Sequence, residues 1–317
     1  MKSILTAFGM ILIFFAVTGC TDRQGEIQNV GMLIDSTIEE QAWGEKGYDG
    51  LTAIGETYDV NVFYEENVST KQDIIRAVDE FIYDGVNLIF GHSSIYGRHF
   101  ADIAENYPDV HFVYFNGGYF TENVTSLNFS SHAMGFFAGM TAGEMTTANQ
   151  VGIVAAYEWQ PEIEGFFEGV NFHNPSAEVQ MDIINDWNDT QSAIDIYEDM
   201  KNKNVDVFYP TGDMFSRTII QEASMDNLYA IGYVEDQAGI GEEMVLTSTV
   251  QHVDKLYELA AEDFNNGDLN GTIKTFDFQE EAITLGEFSP YVTDDFKDDI
   301  SEAIDDYMDT GLLPNEK

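Results

Sequence analysis

Apolar, β-branched runs alternate with segments of helical period along almost the whole chain, a pattern that predicts parallel strands connected by helices. A first strand is expected at 27–35, then a helix over 41–58 in which Trp43, Tyr48, Leu51 and Ile54 fall near one face. A strand at 60–64 leads into a helix over 70–83 with Ile74, Ile75, Val78 and Phe81 on its buried side, and strands follow at 87–91 and 110–116. A second series begins near residue 126. It reads as helix 132–145, strand 151–156, helix 162–171, strand 179–185, helix 190–202, strand 205–209, helix 213–225 and strands 229–232 and 245–249. The last helix, 294–310, carries Phe296, Ile300, Ile304 and Tyr307 as an apolar stripe and leaves Asp295, Asp298, Asp299, Glu302, Asp305 and Asp306 for solvent. Two βα series of similar length imply an α/β protein of two similar lobes. No Pro-rich or Gly/Ser-rich linker divides them, so the crossings between lobes are expected to act as a hinge.

The N-terminus breaks this pattern. Lys2 precedes an apolar run from Ile4 that ends in Val17-Thr18-Gly19-Cys20, too short and wrongly flanked for a spanning helix and typical of a secretory signal peptide over 1–19. Cys20 is the only cysteine, so disulfides, thiolate metal sites and a catalytic thiol are not expected. The segment resembles a bacterial lipobox, which implies that Cys20 is acylated with diacylglycerol, begins the mature chain and holds it on the outer face of a membrane. Residues 20–26 then read as a short tether.

Composition narrows the function classes. Fifty-seven Asp and Glu against thirteen Lys and Arg give a formal charge of −44, which repels nucleic acid phosphates and anionic lipid heads. The acids are spread along the chain, as in a solvated surface, and such self-repulsion is best tolerated where salt or an alkaline habitat accompanies it. The sequence contains no H-E-x-x-H, phosphate loop, G-x-S-x-G elbow or calcium-loop pattern. Gly239-Ile240-Gly241 begins like a dinucleotide fingerprint, but Met244 stands where its last glycine belongs. An enzyme, a cofactor and a metal centre are therefore not expected.

In open parallel sheets, ligands bind beyond the carboxyl ends of the strands. That rule selects Asp35, His92, Ser93, Ser94 and Asn116 in the first lobe. In the second it selects Trp187 and Asp189 within Asn-Asp-Trp-Asn-Asp at 185–189, Gly212 and Asp213 after Thr211, and Asp236 between Glu235 and Gln237. Structural roles compete at several of these positions. Ser93 or Ser94 can cap the next helix, Asp189 and Asp213 are equally suited to be N-caps, and Trp187 either stacks on a ligand ring or walls the hinge. His111, inside an apolar strand, reads as a satisfied core residue, and Trp43 and Tyr48 as packing.

Taken in order, these segments resemble the basic membrane protein family of substrate-binding lipoproteins, whose best-known members are purine nucleoside receptors of ABC importers. The resemblance spans nearly the whole mature chain. It rests on Asp35 with Trp43 eight residues on, Ser-His-Ala-Met-Gly-Phe-Phe-Ala-Gly at 131–139, and Pro-Glu-Ile-Glu-Gly-Phe at 161–166 leading to Gly169. It continues through Trp187-Asn188-Asp189, Thr211-Gly212, Ile231-Gly232 with Asp236-Gln237, and Val-Leu-Thr-Ser at 245–248. The resemblance implies a type I periplasmic-binding fold, two Rossmann-like lobes joined by a three-strand hinge, with lobes over 27–125 plus 250–270 and 126–249 plus 271–317. It further implies a small-molecule ligand, nucleoside-like by family, an ABC permease as partner, a lipid-anchored extracytoplasmic location and a monomer. The chain departs from the nucleoside pattern at Ile38 and Glu39, where the family has an aromatic and an Asn, and at Val234 and Gln251, where it has Asp and Lys. These changes remove base stacking and hydrogen bonds to ribose. The stretch from Trp43 to Leu51 is similar to the Med branch of the family in bacilli, described as positive regulators of competence, which implies a regulatory lipoprotein acting indirectly as the alternative role.

Overall fold

Strands β1 (Asn29–Leu33), β3 (Leu88–Gly91) and β4 (His111–Phe115) are buried on both faces, a state that a sheet covered by helices on both sides sustains. The computed structural model describes residues 25–39 and 41–317; Cys20 and the 1–19 segment lie outside the described residues. With β2 (Asn61–Glu65), β5 (Val124–Phe129) and β11 (Ile273–Phe276) these strands form a six-stranded sheet in the order β11-β5-β4-β3-β1-β2, parallel throughout. A second sheet runs β12-β10-β9-β8-β6-β7, from β6 (Gln150–Ala155), β7 (Glu178–Ile183), β8 (Val207–Thr211), β9 (Tyr229–Val234), β10 (Val245–Gln251) and β12 (Ile283–Leu285). Only β12 is antiparallel, to β10. Each sheet reverses its strand order once, between β1 and β3 and between β6 and β8, which opens a crevice at that end of each lobe.

The helices follow the apolar spacing. Helices α1 (Ala42–Tyr58), α2 (Lys71–Tyr83), α6 (Thr190–Asn202), α7 (Asp213–Met225) and α9 (Asp294–Thr310) agree with the sequence reading to within a residue. In α9, Phe296, Ile300 and Tyr307 are buried, and all six acids of the opposite face are exposed. Thr70 caps α2 and Thr293 caps α9, each accepting a bond from the backbone N–H three residues on. No helix among the described residues is long and apolar enough to cross a membrane.

Helix α4 (Ser131–Met145) is apolar on every side because it runs between α5 (Pro161–His173) and the second sheet, and twelve of its residues are buried. Its glycines, with those of α5, set the distance of closest approach. A Cβ on Gly135 would lie 2.2 Å from the carbonyl oxygen of Glu162, and one on Gly165 would lie 1.9 Å from that of His132. Two of the segments that carry the family resemblance are therefore a packing device.

The chain passes between lobes three times, from β5 into α4, from β10 into α8 (Val253–Asn266), and from β11 to β12. Helix α8 packs on α1 of the first lobe, whereas Val250 and Gln251, at the start of the expected 250–270 segment, belong to β10 of the second sheet. Residues 273–276 differ from expectation. The expected second-lobe range 271–317 includes them, but they form β11, hydrogen-bonded in parallel to β5 at the edge of the first sheet. A four-residue strand with alternating exposure carries no local sign of which sheet it joins. Strand β5 itself lies whole in the first sheet although the expected boundary at 125/126 cuts through it. Helix α3 (Tyr96–Ile103) is the helix expected after Ser93-Ser94, while α8 and strands β5, β11 and β12 are additions to the sequence reading.

Candidate functional site

On the first lobe, Asp35 follows β1 and stands exposed on the cleft wall. Protein crowded around it raises its pKa above the usual carboxylate value, against hydrogen bonds from its own backbone and from Ser93. Ser93 is half-buried and Ser94 exposed, and neither caps α3, whose N-cap is Ile95 without a side-chain bond. Asn116, at the end of β4, adopts φ 55° and is exposed. Those four polar groups are reached by solvent.

His92 is not. Its ring is fully buried behind the wall, with Nε2 2.6 Å from the carbonyl oxygen of Trp43 and Nδ1 2.9 Å from the Tyr257 hydroxyl. A carbonyl only accepts, so Nε2 carries the proton and Nδ1 accepts from Tyr257. The Trp43 indole stacks on the imidazole at 5.1 Å and donates to the His92 carbonyl at 3.2 Å. Burial pushes the His92 pKa down to about 4, opposed by the bond to Trp43. Gly47 makes room for this arrangement, since a Cβ there would sit 2.3 Å from the imidazole Cε1. His111 is likewise buried, 2.8 Å from Thr125 Oγ1, as expected of a core histidine. Tyr48 packs edge-on against Tyr64.

The second lobe divides its residues differently. Asp189 is the N-cap of α6, accepting from the backbone N–H of Ser192 at 3.0 Å and from its hydroxyl at 2.6 Å, which lowers its pKa. Gly212 is the buried N-cap of α7, with the Phe215 ring where a Cβ would be. Asp236 is exposed and staples loops, accepting from the Ser248 hydroxyl and from the N–H groups of Ala238 and Glu287. Trp187 is half-buried in a cluster with Tyr157 and Trp159, ring centroids 5.1 and 5.9 Å away. Behind this rim, Glu162 is buried among Gln160 Nε2 at 2.9 Å and the Tyr233 hydroxyl at 3.0 Å, and burial raises its pKa. Val234, in the place of the family's aspartate, is buried with φ 66° at the centre of a tight turn closed by Glu235 N–H to Tyr233 O at 2.8 Å. A β-branched residue in that region stores strain, on the order of 1–3 kcal/mol, at the cleft end of β9.

Asp213 joins the two walls. One carboxylate oxygen accepts from the Ala42 N–H at 3.2 Å and the other from the Trp43 N–H at 3.0 Å, both at the start of α1 in the first lobe. Gln41 Nε2 donates to Asn188 Oδ1 at 2.9 Å close by. The carboxyl ends of the two sheets thus meet in one cleft. Burial pushes the Asp213 pKa up to about 6, with Glu235 adding to the rise and the Trp43 and Ala42 N–H groups and Arg217 opposing it. Lys46, one turn into α1, is half-buried, and burial lowers its pKa against the pull of Asp254, Glu235, Asp49 and Asp213. Position among the candidates singled out Asp213; Gln41 and Lys46 carried no comparable signal.

Residues 27–317 match the family described as Bmp, ABC transporter substrate-binding protein PnrA-like. The chain belongs to the Bmp family. It is 46% identical over 304 residues to the Bacillus subtilis (strain 168) protein named transcriptional activator protein med, with 96% of each chain covered. Its fold superposes with a TM-score of 0.84 on a crystal structure from Bacillus halodurans described as a transcriptional activator of the comK gene, at 42% identity over 90% of this chain and 99% of that one. An ABC transporter solute-binding protein from Conexibacter woesei DSM 14684 shares the fold at 18% identity and TM-score 0.74, covering 91% and 99% of the two chains. The Bmp-family chain has the type I periplasmic-binding fold.

Proposed function

We propose that this Bmp-family protein is an extracytoplasmic, lipid-anchored solute-binding protein that takes a small polar ligand between its lobes and presents the closed form to an ABC permease. The observation that carries this reading is the meeting of two strand-end walls in one cleft bridged by Asp213. Asp35, Ser93, Ser94 and Asn116 on one wall and Trp187 on the other are the proposed ligand contacts, with Asp213 positioning the walls. Binding and closure are the whole of the activity, with no bond made or broken. Nucleosides are the first ligand class to try, although Val234 gives a ribose no carboxylate to bond.

A second reading is supported by the 46% identity to the Bacillus subtilis med protein: a regulatory lipoprotein that acts on competence indirectly, from outside the membrane. A thermal-unfolding screen of the chain from Thr21 against nucleosides, nucleobases, sugars and small peptides separates the two. A ligand at 100 times its Kd adds about 2.7 kcal/mol of stability. A shift with any class supports the receptor and names its cargo. Silence from a well-folded protein, with solute uptake unchanged and competence lost on deletion, decides for the regulator.

A further inference from the structure

We propose that Asp213 closes the cleft without any ligand, by capping from the second lobe the α1 N-terminus that the first lobe leaves uncapped. The inference rests on the hinged two-lobe reading above and adds to it the residue that sets the open–closed balance.

Helix α1 has seventeen residues and begins with N–H groups that its N-cap residue Gln41 does not cap. Its N-cap, Gln41, is extended (φ −140°, ψ 139°), makes no side-chain cap bond, and sends its amide across to Asn188 of the second lobe. Asp213 supplies what is missing, one oxygen to each of the first two N–H groups, at the end of the helix dipole that favours negative charge. The bond continues into the hinge, because Trp43 is held through its carbonyl to His92 and His92 through Nδ1 to Tyr257 on α8. A movement of Asp213 away from α1 therefore breaks the only link that joins α7 to this buried chain of bonds among the described residues.

Among the described residues no Lys or Arg forms an ion pair with the carboxylate. Arg217, one turn along α7, is engaged by Glu235 at the end of β9. Lys46 on α1 acts on Asp213 only at longer range and shares its charge with Asp254 of α8, Glu235 and Asp49. Tyr233 of β9 also faces the group. Closing thus takes a carboxylate to 8% exposure with two neutral donors and a like charge nearby. The sign follows. The closed state holds the Asp213 proton more tightly than an open, hydrated carboxylate does, so closure takes up a proton and is favoured as pH falls. With a closed-state pKa of about 6 against the ordinary 3.8, the closing equilibrium rises about tenfold between pH 8 and pH 5. Ala42 and Trp43 N–H groups are unavailable to a ligand while the cap is in place.

The test places spin labels at Tyr83→Cys on α2 and Met225→Cys on α7, both exposed and one on each lobe, in the chain from Thr21, which contains both complete sheets. Ligand-free protein at pH 8 is expected to show a mainly closed distance distribution, and the closed-to-open ratio to grow about tenfold at pH 5. Asp213→Ala is expected to lower that ratio at least tenfold at pH 8. Asp213→Asn, a neutral stand-in for the protonated acid, is expected to remain closed and lose the pH response. An Asp213→Ala distribution like that of the parent at pH 8, or a parent ratio that stays flat or falls between pH 8 and pH 5, overturns the proposal, and the second comparison needs no variant to fold. A single fixed distance in every sample overturns the hinge and the cap together. A responsive cap with no ligand found in the thermal screen leaves the cap standing and removes the receptor.

Discussion

Alanine at Gly165 or Gly169 is expected to destabilise the protein by about 3 kcal/mol or more, the upper part of the range for overpacked cores. The obstacle at each position is backbone. A Cβ on Gly169 would lie 1.9 Å from the carbonyl oxygen of Phe136, and one on Gly165 as close to that of His132. Ordinary contact needs roughly 3.5 Å, so α4 and α5 must separate. Neither helix is free to yield, since α4 is buried on all sides and Phe136 and Phe166 fill the space beside the contact. Alanine's higher helix propensity returns only about 1 kcal/mol. Gly143 provides an internal comparison, because its Cβ would meet Val170 O at 3.1 Å and a small adjustment accommodates it. Denaturant unfolding of Gly165→Ala, Gly169→Ala and Gly143→Ala measures the series; equal stability of all three would sink the packing argument.

Acid is expected to remove stability through His92 and His111. Both are buried with pKa pushed down to about 4 by loss of hydration, His111 also by the positive charge of Lys274. A histidine whose folded pKa lies below its unfolded value of 6.5 favours the native state fully above pH 6.5, and that advantage drains away as pH falls toward 4. Each 2.5-unit gap corresponds to about 3 kcal/mol. Asp213, Asp35 and Glu162 work in the opposite sense, because burial raises their pKa values and the native state holds their protons. The clean measurement is a difference. Stability against pH for His92→Gln, subtracted from the parent, is expected to change by about 3 kcal/mol between pH 7 and pH 4. A difference that stays constant over that interval would mean that His92 is not buried neutral. The loss falls on the cleft, since the same ring holds Trp43 and through it the start of α1.

The lobe pattern was legible because it is local. Runs such as Leu-Ile-Phe-Gly at 88–91 and the spacing of Ile74, Val78 and Phe81 follow from strand and helix periods alone. Helix α8 carries the same spacing, in Val253, Leu256, Tyr257, Ala260 and Ala261, so it too is encoded locally. Helix α3 is short, opens after two serines and contains Gly97, so its local preference is weak. Among the candidate site residues, strand-end position selected Asp35, Ser93, Ser94, Asn116 and Asp213 together with His92 and Asp189, and it could not separate accessible groups from groups used up by the fold. His92 and Asp189 illustrate the difference. Both occupy strand-end segments, yet one is enclosed by Trp43 and Tyr257 and the other bonds the start of its own helix.

The sequence by itself determined the α/β alternation, the two-lobe count, the acidic exterior of α9 and, through its motifs, membership of the Bmp family, because each depends on the order and spacing of residues along the chain. Tertiary structure decided the rest. It set β11 beside β5 across 145 or more residues of chain, brought the glycines of α4 against the carbonyls of α5, and placed the Asp213 carboxylate on the N–H groups of Ala42 and Trp43. Contacts of that kind depend on how the lobes stand in space, and no local period of hydrophobic and polar residues encodes the distance between two sheets.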